Sequence, residues 1–207
     1  MTALARIDHL VYAAPNLASA STSVSGWLGV TPAAGGRHVG VGTRNELLGL
    51  GGGSYLEIIG PDPEQPPPAA PRPFGLDEMD GPRLVTWGAR TTDIDAAIAA
   101  ARAAGHDVGS ARSMQRARPD GVVLSWRLTN TSDDGVLPFF IEWGDTPHPA
   151  DSAPAGVELV ALELTHPAAD HVRAVLDALG ITDVGIAAGP ASVRARLRGP
   201  NGDLVLA

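Results

Sequence analysis

The chain lacks cysteine and lysine altogether; all of its 15 basic residues are arginine. Without cysteine there are no disulfides, thiolate zinc sites, iron–sulfur clusters or cysteine nucleophiles, so any metal has to be held by His, Asp or Glu. Without lysine there is no Schiff-base chemistry and no phosphate-loop lysine. Long apolar runs are missing too: no stretch approaches the roughly 18 residues of a spanning helix. Met1 to Arg6 has no charged-then-apolar order of a secretion signal, and a cytoplasmic location is expected. Positive charge is in deficit, with a formal net charge of −8, which opposes binding to phosphate backbones. Neither nucleic acid nor a membrane is expected as a partner. What the chain does have is 207 residues, 44% of them apolar, enough to bury one large core or two small ones.

One pattern recurs three times. Strand-forming runs Ile7–Tyr12, Arg83–Gly88 and Leu159–Leu164 each precede a polar break and an apolar stripe at helical spacing. In the first copy Asn16 can cap a helix carrying Leu17, Ala20, Val24 and Trp27, with Gly29 as its stop. In the second, Thr92 or Asp93 can cap Ile94, Ala97, Ile98 and Ala101 before Gly105. The third uses Val172, Val175, Leu176 and Leu179, then Gly180. Short extended runs follow each helix, broken at Gly51–Gly53, Asp133–Gly135 and Pro200–Gly202. The expected fold is therefore α+β, with repeated β-α-β-β-β modules at 1–60, 83–145 and 156–207. Proline-crowded linkers fill 61–82 and 146–155, where neither a central strand nor a helix can run.

Side chains alternate between the two faces of a strand. In Ser54–Ile59, Leu56 and Ile58 share a face suited to a helix, and Glu57 points the other way with Tyr55 and Ile59. In Phe139–Trp143, Phe139, Ile141 and Trp143 share one face and Glu142 takes the other beside Phe140. A buried carboxylate pairs, protonates or binds a cation. Together with His9, which interrupts another apolar strand, Glu57 and Glu142 would neutralise a divalent ion and leave coordination positions open. A hydrogen-bonded core histidine is the plainer reading of His9. Ion pairs with Arg44 or Arg127 are the plainer reading of the glutamates.

Taken in order, Ile7-Asp8-His9-Leu10-Val11, Gly35-Gly36-Arg37-His38, Gly42-Thr43-Arg44-Asn45, Tyr55-Leu56-Glu57 and Phe139-Phe140-Ile141-Glu142-Trp143 resemble the glyoxalase-like group of the vicinal oxygen chelate superfamily. The resemblance implies paired modules whose curved antiparallel sheets enclose a cleft, with helices outside and metal ligands on the first and last strands. It places His9, Glu57 and Glu142 in ligand slots, for zinc, manganese, iron or nickel. The first-strand slot of the second module falls on Thr86 or Trp87, neither a usual ligand, which argues against the specific activities of glyoxalase I and the extradiol dioxygenases. The third module carries Ala161 and Leu206 in the corresponding slots and reads as structural.

The expected function is a metal-dependent enzyme of lyase, isomerase or hydrolase type, acting on a small carbonyl or vicinal-oxygen compound. His38 or Glu142 would move the proton, while Arg44, Asn45 and Trp87 would contact the substrate. Trp87, Trp126 and Trp143 also suit core positions. The alternative is a metal-free protein that binds or sequesters a small molecule in the same cleft. An odd third module leaves strand edges to cover, either by packing on the other two or by a homodimer.

Overall fold

A computed structural model describes residues 3–117 and 121–207. Its element order is β1 (Arg6–Ala13), α1 (Leu17–Leu28), β2 (Ala33–His38), β3 (Thr43–Gly49), β4 (Tyr55–Pro61), β5 (Arg83–Arg90), α2 (Ile94–Ala103), β6 (Arg112–Ala117), β7 (Val123–Leu128), β8 (Phe139–Glu142), β9 (Glu158–His166), α3 (Ala169–Leu179), β10 (Val184–Ala188), β11 (Ser192–Gly199) and β12 (Gly202–Leu206). Among the described residues no helix is long and apolar enough to cross a membrane.

The helices start and stop where local chemistry directs. The Asn16 side chain accepts from the Ser19 amide at the start of α1, and Gly29 ends it in the left-handed conformation. Asp93, rather than Thr92, caps α2 through the Ala96 amide, and α3 ends on left-handed Gly180. One stripe residue departs from expectation. Trp27 is 48% exposed, and Leu28 takes the inward position, closing the face of Leu17, Ala20 and Val24.

The strands form an eight-stranded sheet in the order β2-β3-β4-β1-β5-β8-β7-β6 and a four-stranded sheet in the order β10-β9-β11-β12. In the large sheet, β1 pairs in parallel with β4, β5 pairs in parallel with β8, and β1 runs antiparallel to β5 at the centre. This makes two matching halves joined along β1 and β5. The sheet curls until its outer strands β2 and β6 meet, where the Arg116 guanidinium donates to the Gly35 carbonyl. The concave face becomes a cup.

The third stretch repeats the element order but not the pairing. Its α3 crossover lays β10 directly beside β9 in parallel, whereas in the first two units the strand after the helix goes to the outer edge. This small sheet packs over the helices on the convex side. One core is shared by α1, α2, α3 and both sheets, including Leu10, Leu56, Ala97, Leu162, Leu176 and Leu197. A second core lines the cup with Val11, Tyr55, Ile59, Trp126, Phe139 and Trp143. The third unit therefore covers the outer side of the helices and leaves the cup open.

Two glycines report on this packing. A Cβ at Gly199 of β11 would collide with the Leu28 carbonyl at the end of α1, a backbone atom that cannot turn aside, whereas one at Gly26 meets nothing within 4 Å. Gly199→Ala is expected to lower stability by about 1–3 kcal/mol through overpacking. Gly26→Ala, inside a helix with open space, should raise it by about 0.5–1 kcal/mol. Urea denaturation of both variants reads the two opposite shifts.

Candidate functional site

The cup holds a cleft of about 370 Å³. Strand alternation decides what it contains. From β4, Tyr55, Glu57 and Ile59 face inward; Asn45 and Thr43 do so from β3, His38 from β2 and His9 from β1. The facing wall is apolar and aromatic, with Phe139, Ile141 and Trp143 on or just after β8 and Trp126 on β7. Pro71, Pro73 and Phe74 of the proline-rich 61–82 stretch cover one side. That stretch closes over the cleft, and Arg72 ties it down by donating to the Gly42 carbonyl.

His9 lies at the centre line. Its ring stacks on Tyr55, with centroids 4.7 Å apart, and meets Phe139 edge-on at 5.3 Å. Its antiparallel partner is Gly88, and the β5–β8 register repeats the β1–β4 register with Gly88 in the place of His9, Phe139 in that of Tyr55 and Ile141 in that of Glu57. The first-strand slot of the second half is thus Gly88, not Thr86 or Trp87. A Cβ at Gly88 would stand 2.9 Å from His9 Cε1, so the bare glycine makes room for the imidazole.

Asp8 is the residue that strand alternation misses. A register shift between Ile7 and His9 marks a bulge against β5, and a bulge can aim two successive side chains to one side. Asp8 is fully buried. Its carboxylate accepts from His9 Nδ1 at 2.7 Å and His148 Nε2 at 2.7 Å, and from Trp143 Nε1 at 3.3 Å; Arg90 Nε lies 3.9 Å away. Burial alone would raise the pKa of Asp8, but the hydrogen bonds from His148 and His9 and their positive charge outweigh it and hold Asp8 well below the usual carboxylate range. An ionised Asp8 only accepts, so His9 Nδ1 carries the proton, and in the neutral ring Nε2 is a bare acceptor turned to Glu57 Oε2, 3.7 Å away. His148 accepts from the Ala150 amide at Nδ1, which fixes its Nε2–H toward Asp8. No sequence motif marks His148; it comes from the 146–155 linker.

Glu57 takes a hydrogen bond from Asn45 Nδ2 at 2.5 Å. His38 bonds Thr43 Oγ1 at 2.9 Å; burial pushes its pKa down, the Glu57 charge opposes this and the Arg116 charge adds to it. Burial also keeps the Tyr55 phenol protonated, reinforced by Asp8 and Glu57.

Three expected site residues lie elsewhere. Glu142 alternates to the helix side, where it accepts from Arg127 Nη1 at 3.2 Å and from the Ile94 amide at 3.2 Å. The Phe139, Ile141 and Trp143 face, not the Glu142 face, is the one turned to the cleft. Trp87 is fully buried in the helix-side core with its indole donating to the Val136 carbonyl. Arg44 points away from Asn45, with Nη1 4.0 Å from Glu64. The structure brings together His9, Glu57, Asn45 and His38. Among the described residues no three His, Asp or Glu side chains gather as a metal-holding group. With Asp8 engaged by His9, His148 and Trp143 and Glu142 paired to Arg127, the donor set does not fit a divalent centre held by three protein ligands.

Comparison with known proteins follows the same lines. A family profile described as a glyoxalase-like domain matches residues 7–180. No functionally curated protein sequence matches. Among solved structures, a hypothetical protein from Staphylococcus aureus is similar over 97% of this chain and 84% of its own, with a TM-score of 0.64 and 17% identity. A mutant of 4-hydroxymandelate synthase from Streptomyces coelicolor is similar over 99% of this chain and 63% of its own, with a TM-score of 0.52 and 15% identity. For methylmalonyl-CoA epimerase from Mycobacterium tuberculosis the shares are 73% and 96%, the TM-score 0.47 and the identity 20%. At these identities the likeness is one of fold.

The state of Asp8 gives a pH dependence. Its carboxyl is more acidic folded than unfolded, so its stabilisation is complete above the ordinary carboxylate range and is lost as pH falls below about 4. Asp8→Asn should cost about 1.5–3 kcal/mol at neutral pH, the worth of hydrogen bonds to a charged group. It should also flatten the acid limb of stability, read by urea denaturation from pH 7 down to pH 3.

Proposed function

We propose, from the premise that this chain belongs to the glyoxalase-like domain family of the vicinal oxygen chelate superfamily, that it is an enzyme moving a proton on a small carbonyl or hydroxy-carbonyl compound, an isomerase- or lyase-type reaction. The observation that carries the reading is the Asp8–His9 pair, which leaves His9 Nε2 facing Glu57 inside the cleft. An imidazole whose Nδ1–H is held by an ionised carboxylate is oriented as a base, and that carboxylate stabilises the imidazolium formed when Nε2 takes a proton. The proton comes from the carbon next to the substrate carbonyl; the electron pair of that C–H bond forms the C=C bond of an enolate, and the π pair of the carbonyl moves onto its oxygen. Arg112 and Arg116 line the β6 side of the cleft, and their positive charge would favour the developing oxyanion. Glu57, steadied by Asn45, is the second group able to return the proton on the way to product. His38, kept neutral by burial, is a further acceptor on the same wall.

This chemistry needs no protein-held metal, and the donor set argues for that version over the metal-dependent one. A second reading, binding without turnover, draws support from the aromatic wall of Trp126, Phe139 and Trp143, which suits retention of an apolar ligand.

Incubating the protein in D₂O with a panel of small α-hydroxycarbonyl and 1,2-dicarbonyl compounds should show enzyme-dependent loss of the carbon-bound proton signal by NMR. His9→Gln and Glu57→Gln should each slow it by about 10²–10⁴-fold, the usual contribution of a general base. Exchange unaffected by both substitutions would refute the assignment. Ile141→Glu, which sets a carboxylate opposite Glu57, should create affinity for divalent ions above that of the wild type, measured by calorimetric titration with zinc and manganese.

A further inference from the structure

The polar pole of the cleft is a set of hydrogen-bond acceptors. In the neutral ring, with Nδ1 donating to Asp8, His9 Nε2 is an acceptor. Glu57 Oε2 is an acceptor by its charge, and Asn45 donates to the other carboxylate oxygen. That bond fixes which end of the Asn45 amide is which, and it leaves Asn45 Oδ1 buried with no hydrogen-bond partner. Asn45 itself is only 5% exposed. Its Oδ1 packs against β2, where a Cβ on Gly35 would collide with it, and the acceptors turned to the cleft are His9 Nε2 and Glu57 Oε2.

The spacing carries the same information. His9 Nε2 and Glu57 Oε2 stand 3.7 Å apart, too far for a good direct hydrogen bond and close enough for one oxygen to lie within bonding distance of both. Such an oxygen has to carry a proton, since neither wall atom brings one in the neutral ring. The opposite wall is of another kind: Trp126 and Trp143, with ring centroids 5.3 Å apart, stand with Phe139 and Ile141 and offer aromatic apolar surface, with Arg112 and Arg116 of β6 lining the same cleft.

We infer that the cleft selects a planar ring compound carrying a hydroxyl, whose O–H donates to the His9–Glu57 acceptor pair, with Asn45 holding Glu57 in place, while the ring lies against the Trp126–Trp143–Phe139 wall. The inference rests on the same cleft as the proposed reaction and narrows its substrate to the hydroxyl-bearing member of the carbonyl class. A ligand presenting only acceptors at this pole, a simple ketone, an ether or a carboxylate, would face two acceptors and be disfavoured.

Three probes of nearly one shape separate these cases: 2-naphthol, its methyl ether and 2-naphthoate, each titrated into the full-length protein by calorimetry with amide NMR as a second readout. The wild type should bind the naphthol at least about tenfold more tightly than the ether, the effect of one hydrogen bond to a charged acceptor, and the naphthoate more weakly than the naphthol. Glu57→Gln brings its own donor to the pole, so the naphthol preference over the ether should shrink several-fold, with native amide dispersion confirming the fold. Equal binding of naphthol and ether by the wild type, tighter binding of the naphthoate, or no binding of any probe overturns the inference, and needs no variant to do so. Deuterium exchange on aliphatic hydroxycarbonyls without a naphthol preference rejects this ligand class and leaves the proton chemistry standing. A naphthol preference without any exchange upholds the ligand class and rejects the chemistry.

Discussion

A single ionised carboxylate sealed inside the protein governs the arrangement around it. Burying the charge of Asp8 with no partner would cost several kcal/mol, and three donors gather to prevent that, two imidazoles and an indole, with the charge of the Arg90 guanidinium 3.9 Å away. These groups come from β1 itself, from the loop after β8 and from the end of β5, so satisfying one charge pins three parts of the chain together. The orientation of His9 is a by-product of that requirement. Because the carboxylate must be answered, the ring presents Nδ1–H to it and Nε2 to the cleft, and the most reactive nitrogen of the site is set by a structural need.

The two halves of the large sheet match strand for strand and differ in content. The first half contributes His9, Asn45 and Glu57; the matching half has Gly88 and Ile141 in the corresponding register positions and contributes aromatic surface. A cleft lined alike on both sides would suit a symmetric metal site. This one has a polar wall and an apolar wall, which suits a ligand with two different ends. The third unit takes no part in the cleft and covers the helices on the convex side.

Much of the fold was legible because it depends on local chemistry. The caps at Asn16 and Asp93, the stops at Gly29 and Gly180, and the inward stripe Val172, Val175, Leu176 and Leu179 all follow from spacing and side-chain type. Alternation also separated Glu57 from Leu56 and Ile58. It failed at Glu142, whose strand was divided into two faces correctly while the face turned to the cleft was not identified. Periodicity tells which residues share a side and cannot tell which side is the cup; the ion pair with Arg127, the plainer alternative, is what forms. Asp8 was hidden by the bulge, since an ideal strand sends consecutive residues to opposite faces. His148 was hidden by distance, 140 positions from its partner. The third unit's pairing was hidden because element order does not dictate strand order.

The closeness of Gly88 to the imidazole has an evolutionary edge. With His9 in place, position 88 tolerates no side chain, as the Cε1 contact shows. Were the imidazole lost first, position 88 could drift to larger residues, and a returning histidine would then find its space filled. The order of events matters: each residue's present identity is contingent on the other's. The unequal division of labour between the two halves is thereby entrenched, and a lineage that abandoned it would have to retrace two substitutions in sequence to recover it.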